Sequence, residues 1–280
     1  MDKKQTIAIT GTTGGIGREI CKNLAKNGER LIFVDRNLEK SKNLAKDILN
    51  EYPNTQIDFV SCDMADIDAV KNAVLELSKF KVDILVLNAG IYNVPVEKLS
   101  CGYNNIFQVN FLSQYLLTRK LLQQKNFNIT KVVAVGSIAY KNVKFKSDDV
   151  DYSKSKKASK VYGNSKKFLM MSMYFLSKDF PNVNFCVAHP GVTSTNMTTH
   201  YPKYINWLVR AGMKTLFPSP KKASKNIVEA IYCNCDEFEW IGPKIFDIYG
   251  KPTKKPIKYN KEENEQIQST IDNIYNSIEK

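Results

Sequence analysis

The chain has 280 residues, of which 43% are hydrophobic and 25% charged, so disordered, collagen-like and low-complexity classes are set aside and there is ample length for a buried core. Lys+Arg 41 against Asp+Glu 28 leaves a net charge of +13, a field that attracts nucleic acid, anionic lipid or a phosphorylated cofactor without choosing among them. No stretch approaches the ~18 apolar residues of a membrane span. Met1-Asp2-Lys3-Lys4 leads directly into a short apolar run instead of a signal-peptide core, so a cytoplasmic protein is expected.

In chain order, short β-rich runs at 6–10, 31–34, 57–60, 84–87, 132–135 and 185–188 read as central parallel strands. Buried on both faces, such strands lose the alternation of apolar and polar residues. Between them, 16–26, 38–49, 67–77, 103–122 and 165–176 carry apolar residues three and four apart, the spacing of covering helices. The alternation predicts an α/β fold: a Rossmann-type, doubly wound parallel sheet in three α/β/α layers.

With no Gly-, Pro- or Ser-rich linker and no internal repeat, a single domain over 1–280 is expected. Segments 141–160, rich in lysine, and 201–220, with Trp207, Leu208, Leu216 and Phe217, break the rhythm. They read as substrate-side insertions, the first equally well as a solvated loop. A helical tail is expected over 253–280.

The six cysteines have no CxxC pair, and the only histidines, His189 and His200, are not close in sequence to Cys233-x-Cys235. Buried reduced thiols and no metal are expected.

Directly after the first strand stands Thr10-Gly11-Thr12-Thr13-Gly14-Gly15-Ile16-Gly17, with a helical pattern behind it. A strand, a glycine-rich turn and a helix N-terminus make a phosphate cradle, because residues without Cβ atoms admit a pyrophosphate and the helix offers free N–H groups. The T-G-x-x-x-G-x-G spacing resembles that of the short-chain dehydrogenase/reductases. At the end of the second strand Asp35 and Arg36 point to different cofactors. A carboxylate accepts from both ribose hydroxyls and favours NAD, whereas a guanidinium pairs with a 2′-phosphate and favours NADP. Like-charge repulsion between a carboxylate and a phosphate tilts this reading toward NAD.

The resemblance continues in order along the chain. Asp63 and Met64 are similar to the family's adenine-binding segment, and Asn88-Ala89-Gly90 to its N-A-G motif. Residues 100–110 are similar to the retinol-dehydrogenase-like branch and put Asn110 at the family's catalytic Asn. Ser137, in Val135-Gly136-Ser137-Ile138-Ala139, falls on the catalytic Ser. Two Tyr-x-x-x-Lys copies compete, Tyr152…Lys156 and Tyr162…Lys166. The apolar run behind Lys166 would hold its pair against the sheet, and Y-x-x-S-K is the family's form, so Tyr162 and Lys166 are favoured. Tyr152 has the commoner separation from Ser137. Pro190-Gly191 with Thr193 and Thr195 resembles the segment that holds the nicotinamide end. His189 reads as a satisfied structural histidine.

The resemblance implies an NAD(P)-dependent oxidoreductase that interconverts a carbonyl and an alcohol. Gly11, Thr12, Thr13, Gly15, Ile16, Gly17 and the residues above would hold the cofactor, and a small, lipophilic ketone, aldehyde or alcohol would be the substrate. A free phenol titrates near ~10, so Tyr162 would need the Lys166 ammonium and an oxidised nicotinamide to favour phenolate, ~4 kcal/mol for ~3 pKa units. Ser137 would steady the substrate oxygen, and Asn110 would hold a water leading from Lys166 to solvent. Relatives suggest a homodimer or homotetramer. The rival readings are a cofactor-binding regulator or scaffold, and a basic protein on anionic membrane or nucleic acid. The first is weakened by the presence of all four catalytic residues. The second lacks an aromatic-interleaved RNA motif or zinc-finger spacing, so no nucleic-acid partner is expected.

Overall fold

The computed structural model describes residues 4–125, 127–191 and 218–279. Eight strands form one sheet in the order β3-β2-β1-β4-β5-β6-β7-β8. They are β1 Thr6–Thr10, β2 Arg30–Asp35, β3 Ile57–Ser61, β4 Ile84–Leu87, β5 Lys131–Val135, β6 Asn184–Ala188, β7 Glu239–Ile245 and β8 Tyr249–Pro256. Pairing is parallel from β3 through β7, and β8 returns antiparallel along β7. The chain winds outward from β1 to β3 and then resumes on the other side of β1 with β4, which makes a switch point between β1 and β4 where a crevice opens.

Residue alternation explains why these strands are apolar throughout. Ile7, Ile9, Leu31, Phe33, Val133 and Val135 face one layer, which holds α1 Gly15–Lys26, α2 Leu38–Glu51 and α7 Pro220–Tyr232. Ala8, Ile32, Val34, Val132 and Ala134 face the other, with α3 Ile67–Leu77, α5 Ser113–Leu122, α6 Ala158–Asp179 and α8 Lys261–Glu279. Each fully buried Leu, Ile or Phe stabilises this three-layer stack by ~1.5–3 kcal/mol. Local signals fix the helix starts: Asp66 accepts from the Asp68 and Ala69 amides, and Ser219 accepts from Lys222 ahead of Pro220.

Three expectations are corrected. The pattern over 103–122 is one apolar stripe but not one α-helix: α4 Asn105–Phe107 passes through a π turn, Gln108–Leu112, before α5. The tail expected over 253–280 starts inside β8, and its helix begins at Lys261. Cys186 and Cys235 are joined in a disulfide instead of being free thiols, because the chain leaving α7 comes back beside β6, where Asn184 Nδ2 also donates to the Cys235 carbonyl at 3.1 Å. Cys21, Cys62, Cys101 and Cys233 are free.

Segment 141–160, with its lysines largely exposed, is nonetheless anchored to the fold. Asp151 accepts from the Asn104 amide at 2.7 Å, Asn164 Nδ2 donates to the Val150 carbonyl at 2.8 Å, and Val143, Asp149 and Tyr152 are buried. The tail helix fastens this region: Glu263 pairs with Lys167 at 2.7 Å and accepts from the Phe145 amide. The apolar residues read at 201–217 lie outside the described residues.

Candidate active site

At the switch point a cleft of about 640 Å³ runs along the carboxyl ends of β1, β2 and β4. Gly11, Thr13, Gly15, Ile16 and Gly17 form its floor, and Asp35, Arg36, Asp63, Met64, Asn88, Ala89 and Gly90 its walls. The cradle is built for close approach. Gly11 has φ +70°, and a Cβ there would sit 2.7 Å from Ala89 Cα; a Cβ at Gly17 would sit 2.3 Å from the Gly11 carbonyl. α1 is N-capped by Gly14 with no side-chain cap and no acidic residue in its first turn, so its N–H groups and positive dipole end are left to face the cleft. These features fit a dinucleotide pyrophosphate.

A buried hub sets the register of the cradle. Thr10 Oγ1 accepts from the Asn88 and Ala89 amides at 3.0 and 2.9 Å, and Asn88 Nδ2 donates to the Thr10 and Gly11 carbonyls at 3.0 and 2.8 Å. Gln114 Nε2 closes the hub on the Ala89 carbonyl at 2.9 Å. The Asn88 side chain therefore joins β4 to the glycine turn.

At the ribose end, Asp35 is buried and its carboxylate is occupied. The Thr12 amide donates to Oδ1 at 2.8 Å, and the Thr12 and Ser41 hydroxyls to Oδ2 at 2.5 and 2.9 Å. Burial raises the carboxyl above its ordinary range, and those hydrogen bonds draw it part of the way back. Thr12, expected to touch a cofactor, is buried and turned to Asp35 instead of lining the cleft. Beside Asp35, this end is lined by Arg36, exposed, with Asn37 and Lys40.

Beyond Gly90 the four polar groups read from the sequence come together. Asn110 lies in the π turn, a departure from α geometry that is frequent at functional sites. Its Oδ1 accepts from the Ile91 amide at 2.7 Å, and its Nδ2 donates to the Ile91 carbonyl at 2.9 Å and to Ser165 Oγ at 3.1 Å. Gly90 has no Cβ to intervene: one would lie 3.2 Å from Asn110 Oδ1 and 3.5 Å from Lys166 Nζ. Ser137 stands just beyond the end of β5, where its Oγ accepts from the Ala139 amide at 3.3 Å and its hydroxyl is near enough to the Tyr162 phenol to favour phenolate. Lys166 Nζ is 5.9 Å from the Tyr162 ring centroid and donates to the Val135 carbonyl at 2.8 Å.

The acidified phenol expected from the sequence calls on an oxidised nicotinamide as well as Lys166; the protein's own groups do not acidify it. Burial pushes the Tyr162 phenol up to about 12, against the pull of the Ser137 hydrogen bond. Burial also pushes the Lys166 ammonium down to about 8. Desolvation is the leading cause at both groups.

Tyr152 stands elsewhere. It takes φ +60°, its hydroxyl donates to the Lys144 carbonyl at 2.5 Å, and Lys156 precedes the start of α6, so the two share no helix face. Pro190-Gly191 leaves β6 with Gly191 at φ +86°, where a Cβ would meet Pro243 Cγ at 3.1 Å. Thr193 and Thr195 lie outside the described residues. His189, read as satisfied, is buried with its ring stacked on Trp240 at 4.9 Å, and neither ring nitrogen has a hydrogen-bond partner among the described residues. Burial lowers it to about 4.

Sequence reading missed two contributors. Tyr92, two residues beyond the N-A-G motif, lines the cleft and meets Tyr162 edge to face with centroids 4.9 Å apart. Lys40 lies one turn into α2, where only its nearness to Arg36 could have marked it. Among the described residues no group of three or more His, Cys, Asp or Glu could hold a metal ion. No described helix is long and apolar enough to cross a membrane.

A parallel sheet with a glycine cradle at its switch point, and a Ser, Tyr and Lys beside it, defines a dinucleotide-dependent oxidoreductase. The family described as short chain dehydrogenase matches residues 5–205, and the chain belongs to it: it is a short-chain NAD(P)-dependent dehydrogenase/reductase, with polyprenol and retinol dehydrogenases among its relatives. It is 27% identical to polyprenol dehydrogenase of Homo sapiens, over 93% of this chain and 82% of that one. It is likewise 27% identical to retinol dehydrogenase 12 of Mus musculus, over 86% and 77%. A solved structure of a putative uncharacterized protein from Mycobacterium Paratuberculosis shares the fold, with TM-score 0.75 and 20% identity over 96% of this chain and 92% of that one.

Proposed function

We propose that this protein reduces a lipophilic, isoprenoid-like aldehyde or ketone with NADPH, Tyr162 giving the proton. The observation that carries the reading is the meeting of Ser137, Tyr162 and Lys166 at the end of a cleft shaped for a dinucleotide. The names of two relatives, a polyprenol and a retinol dehydrogenase, support the substrate class. A bound nicotinamide supplies the hydride.

The chain's own groups do the rest. Tyr162 Oη, held protonated by its burial, is set to donate to a carbonyl oxygen. The Ser137 hydroxyl orients that oxygen and stabilises charge developing on it. Lys166, poised near neutrality, returns the proton to the phenol. Asn110 shapes the turn that brings Gly90 against Lys166. Tyr92 packs against the phenol and limits water beside it.

The choice of NADPH departs from the tilt given by Asp35 alone. With that carboxylate occupied by Thr12 and Ser41, the charge presented to a ribose 2′-phosphate is the positive one of Arg36 and Lys40. For assembly we propose a monomer, where resemblance suggests a dimer or tetramer. β8 closes the sheet edge with Lys251, Pro252, Lys254, Lys255 and Pro256, and α8 covers the outer faces of α5 and α6.

Turnover of purified protein with NADPH and a panel of prenyl aldehydes and ketones tests the reading. Carbonyl-dependent loss of the reduced-nicotinamide absorbance, stronger with NADPH than NADH, is expected. A flat trace with every carbonyl would contradict it.

A further inference from the structure

The β7–β8 hairpin ends in a turn that local folding preferences do not explain. Ile248 N–H closes on the Ile245 carbonyl at 3.0 Å, and the two central residues, Phe246 and Asp247, have φ +50° and +56°. A tight hairpin with both central residues left-handed is best served by Asn-Gly, and a bulky aromatic is disfavoured there. Asp247 is accounted for: it is buried and held by Lys255 at 2.6 Å and Lys141 at 3.4 Å, which makes the turn rigid. Phe246 is not. It is 86% exposed, and Ile245 and Tyr249, paired across the hairpin, are 50% and 46% exposed beside it.

The charge around this tip has one sign. Lys244 and Lys251 are exposed on either side of it and make no ion pair with a carboxylate among the described residues. The one carboxylate of the turn, Asp247, is already neutralised by two lysines. An apolar knob ringed by cations is the surface that an anionic lipid interface complements: the ring enters the boundary between headgroups and acyl chains while the ammonium groups meet lipid phosphates.

The knob is also placed beside the candidate active site. Gly191, at the mouth where β6 ends, packs against Pro243 and the backbone of Asp247 and Ile248, so the turn and the site are one rigid neighbourhood.

We infer that the 244–251 hairpin tip docks the protein on anionic phospholipid membrane, with Phe246 inserted and Lys244 and Lys251 on the headgroups. This orients the mouth of the site toward a reservoir of lipophilic substrate. Its purpose rests on the proposed substrate class, but its test needs no turnover, so either reading can fail without the other.

Full-chain protein is sedimented with vesicles of phosphatidylcholine alone and with ~30% phosphatidylserine in ~0.15 M salt. Retention on the anionic vesicles is expected. Phe246→Asn should weaken it by roughly tenfold or more while leaving the melting temperature equal or higher, since Asn suits the turn. Joint Lys244→Glu and Lys251→Glu should remove the preference for phosphatidylserine. Absence of retention, or equal retention of wild type and Phe246→Asn, overturns the inference. So does a concentration-dependent dimer that Phe246→Asn dissolves without any vesicle binding, which would assign the tip to a second copy of the chain.

Discussion

Thr12 grips Asp35 twice, through its amide at 2.8 Å and its hydroxyl at 2.5 Å, and so occupies the wall carboxylate that would otherwise accept from a ribose diol. On the proposed reading, cofactor choice then rests on Arg36. Arg36→Ala should lower kcat/KM for NADPH by ~10- to 100-fold, the ~1.5–3 kcal/mol of a charge-assisted hydrogen bond, and leave NADH nearly unaffected. Steady-state kinetics with both cofactors check this; an equal loss for the two would return the ribose to Asp35.

The two Tyr-x-x-x-Lys copies are separated by what their hydroxyls touch. Tyr152→Phe removes one hydrogen bond to the Lys144 carbonyl. It should cost about 0.5–1.5 kcal/mol of stability, read by urea melts, with turnover unchanged. A large fall in turnover at intact stability would move the proton-transfer role to Tyr152.

His189 gives the fold an acid limit. It stays neutral in the folded chain down to about 4, whereas in the unfolded chain it takes a proton near its ordinary 6.5. The unfolded state therefore binds more protons between these values. The stability present above pH ~6.5 is lost as pH falls toward ~4, by about 3 kcal/mol for this group. His189→Gln should flatten that part of the stability profile relative to wild type; parallel profiles would show that another group governs it.

Sheet edges and helix faces bear on assembly. β8 blunts the β7 edge with lysine and proline, and α8 packs Ile267, Ile271 and Ile274 into the α3–α5–α6 layer. Analytical ultracentrifugation should find a monomer at micromolar concentration. A stable dimer would require another face.

Much of this was legible in the residues, for physical reasons. Central strands such as Ile84–Leu87 are apolar because both faces are covered, and the glycine turn after β1 is constrained by approaches as close as the one between Gly17 and the Gly11 carbonyl. β7 and β8 stayed hidden because Glu239–Ile245 contains Gly242 and Pro243, and Tyr249–Pro256 is a polar edge strand with two prolines. The Cys186–Cys235 pair joins residues 49 apart that only the path of α7 brings together. At the site, residue types were readable but directions were not: nothing in Asp35-Arg36 says that the carboxylate turns inward to Thr12. Nor could spacing reveal that burial would dominate both Tyr162 and Lys166.

The central claim is that the Tyr162 hydroxyl is the proton donor at this site. Single-turnover reduction of a prenyl aldehyde by Tyr162→Phe, with NADPH binding measured in parallel by fluorescence, tests it most directly. Binding within a few-fold of wild type and a rate lower by ~10²–10⁴-fold is the expected result. Turnover at the wild-type rate with the cofactor bound would contradict the account.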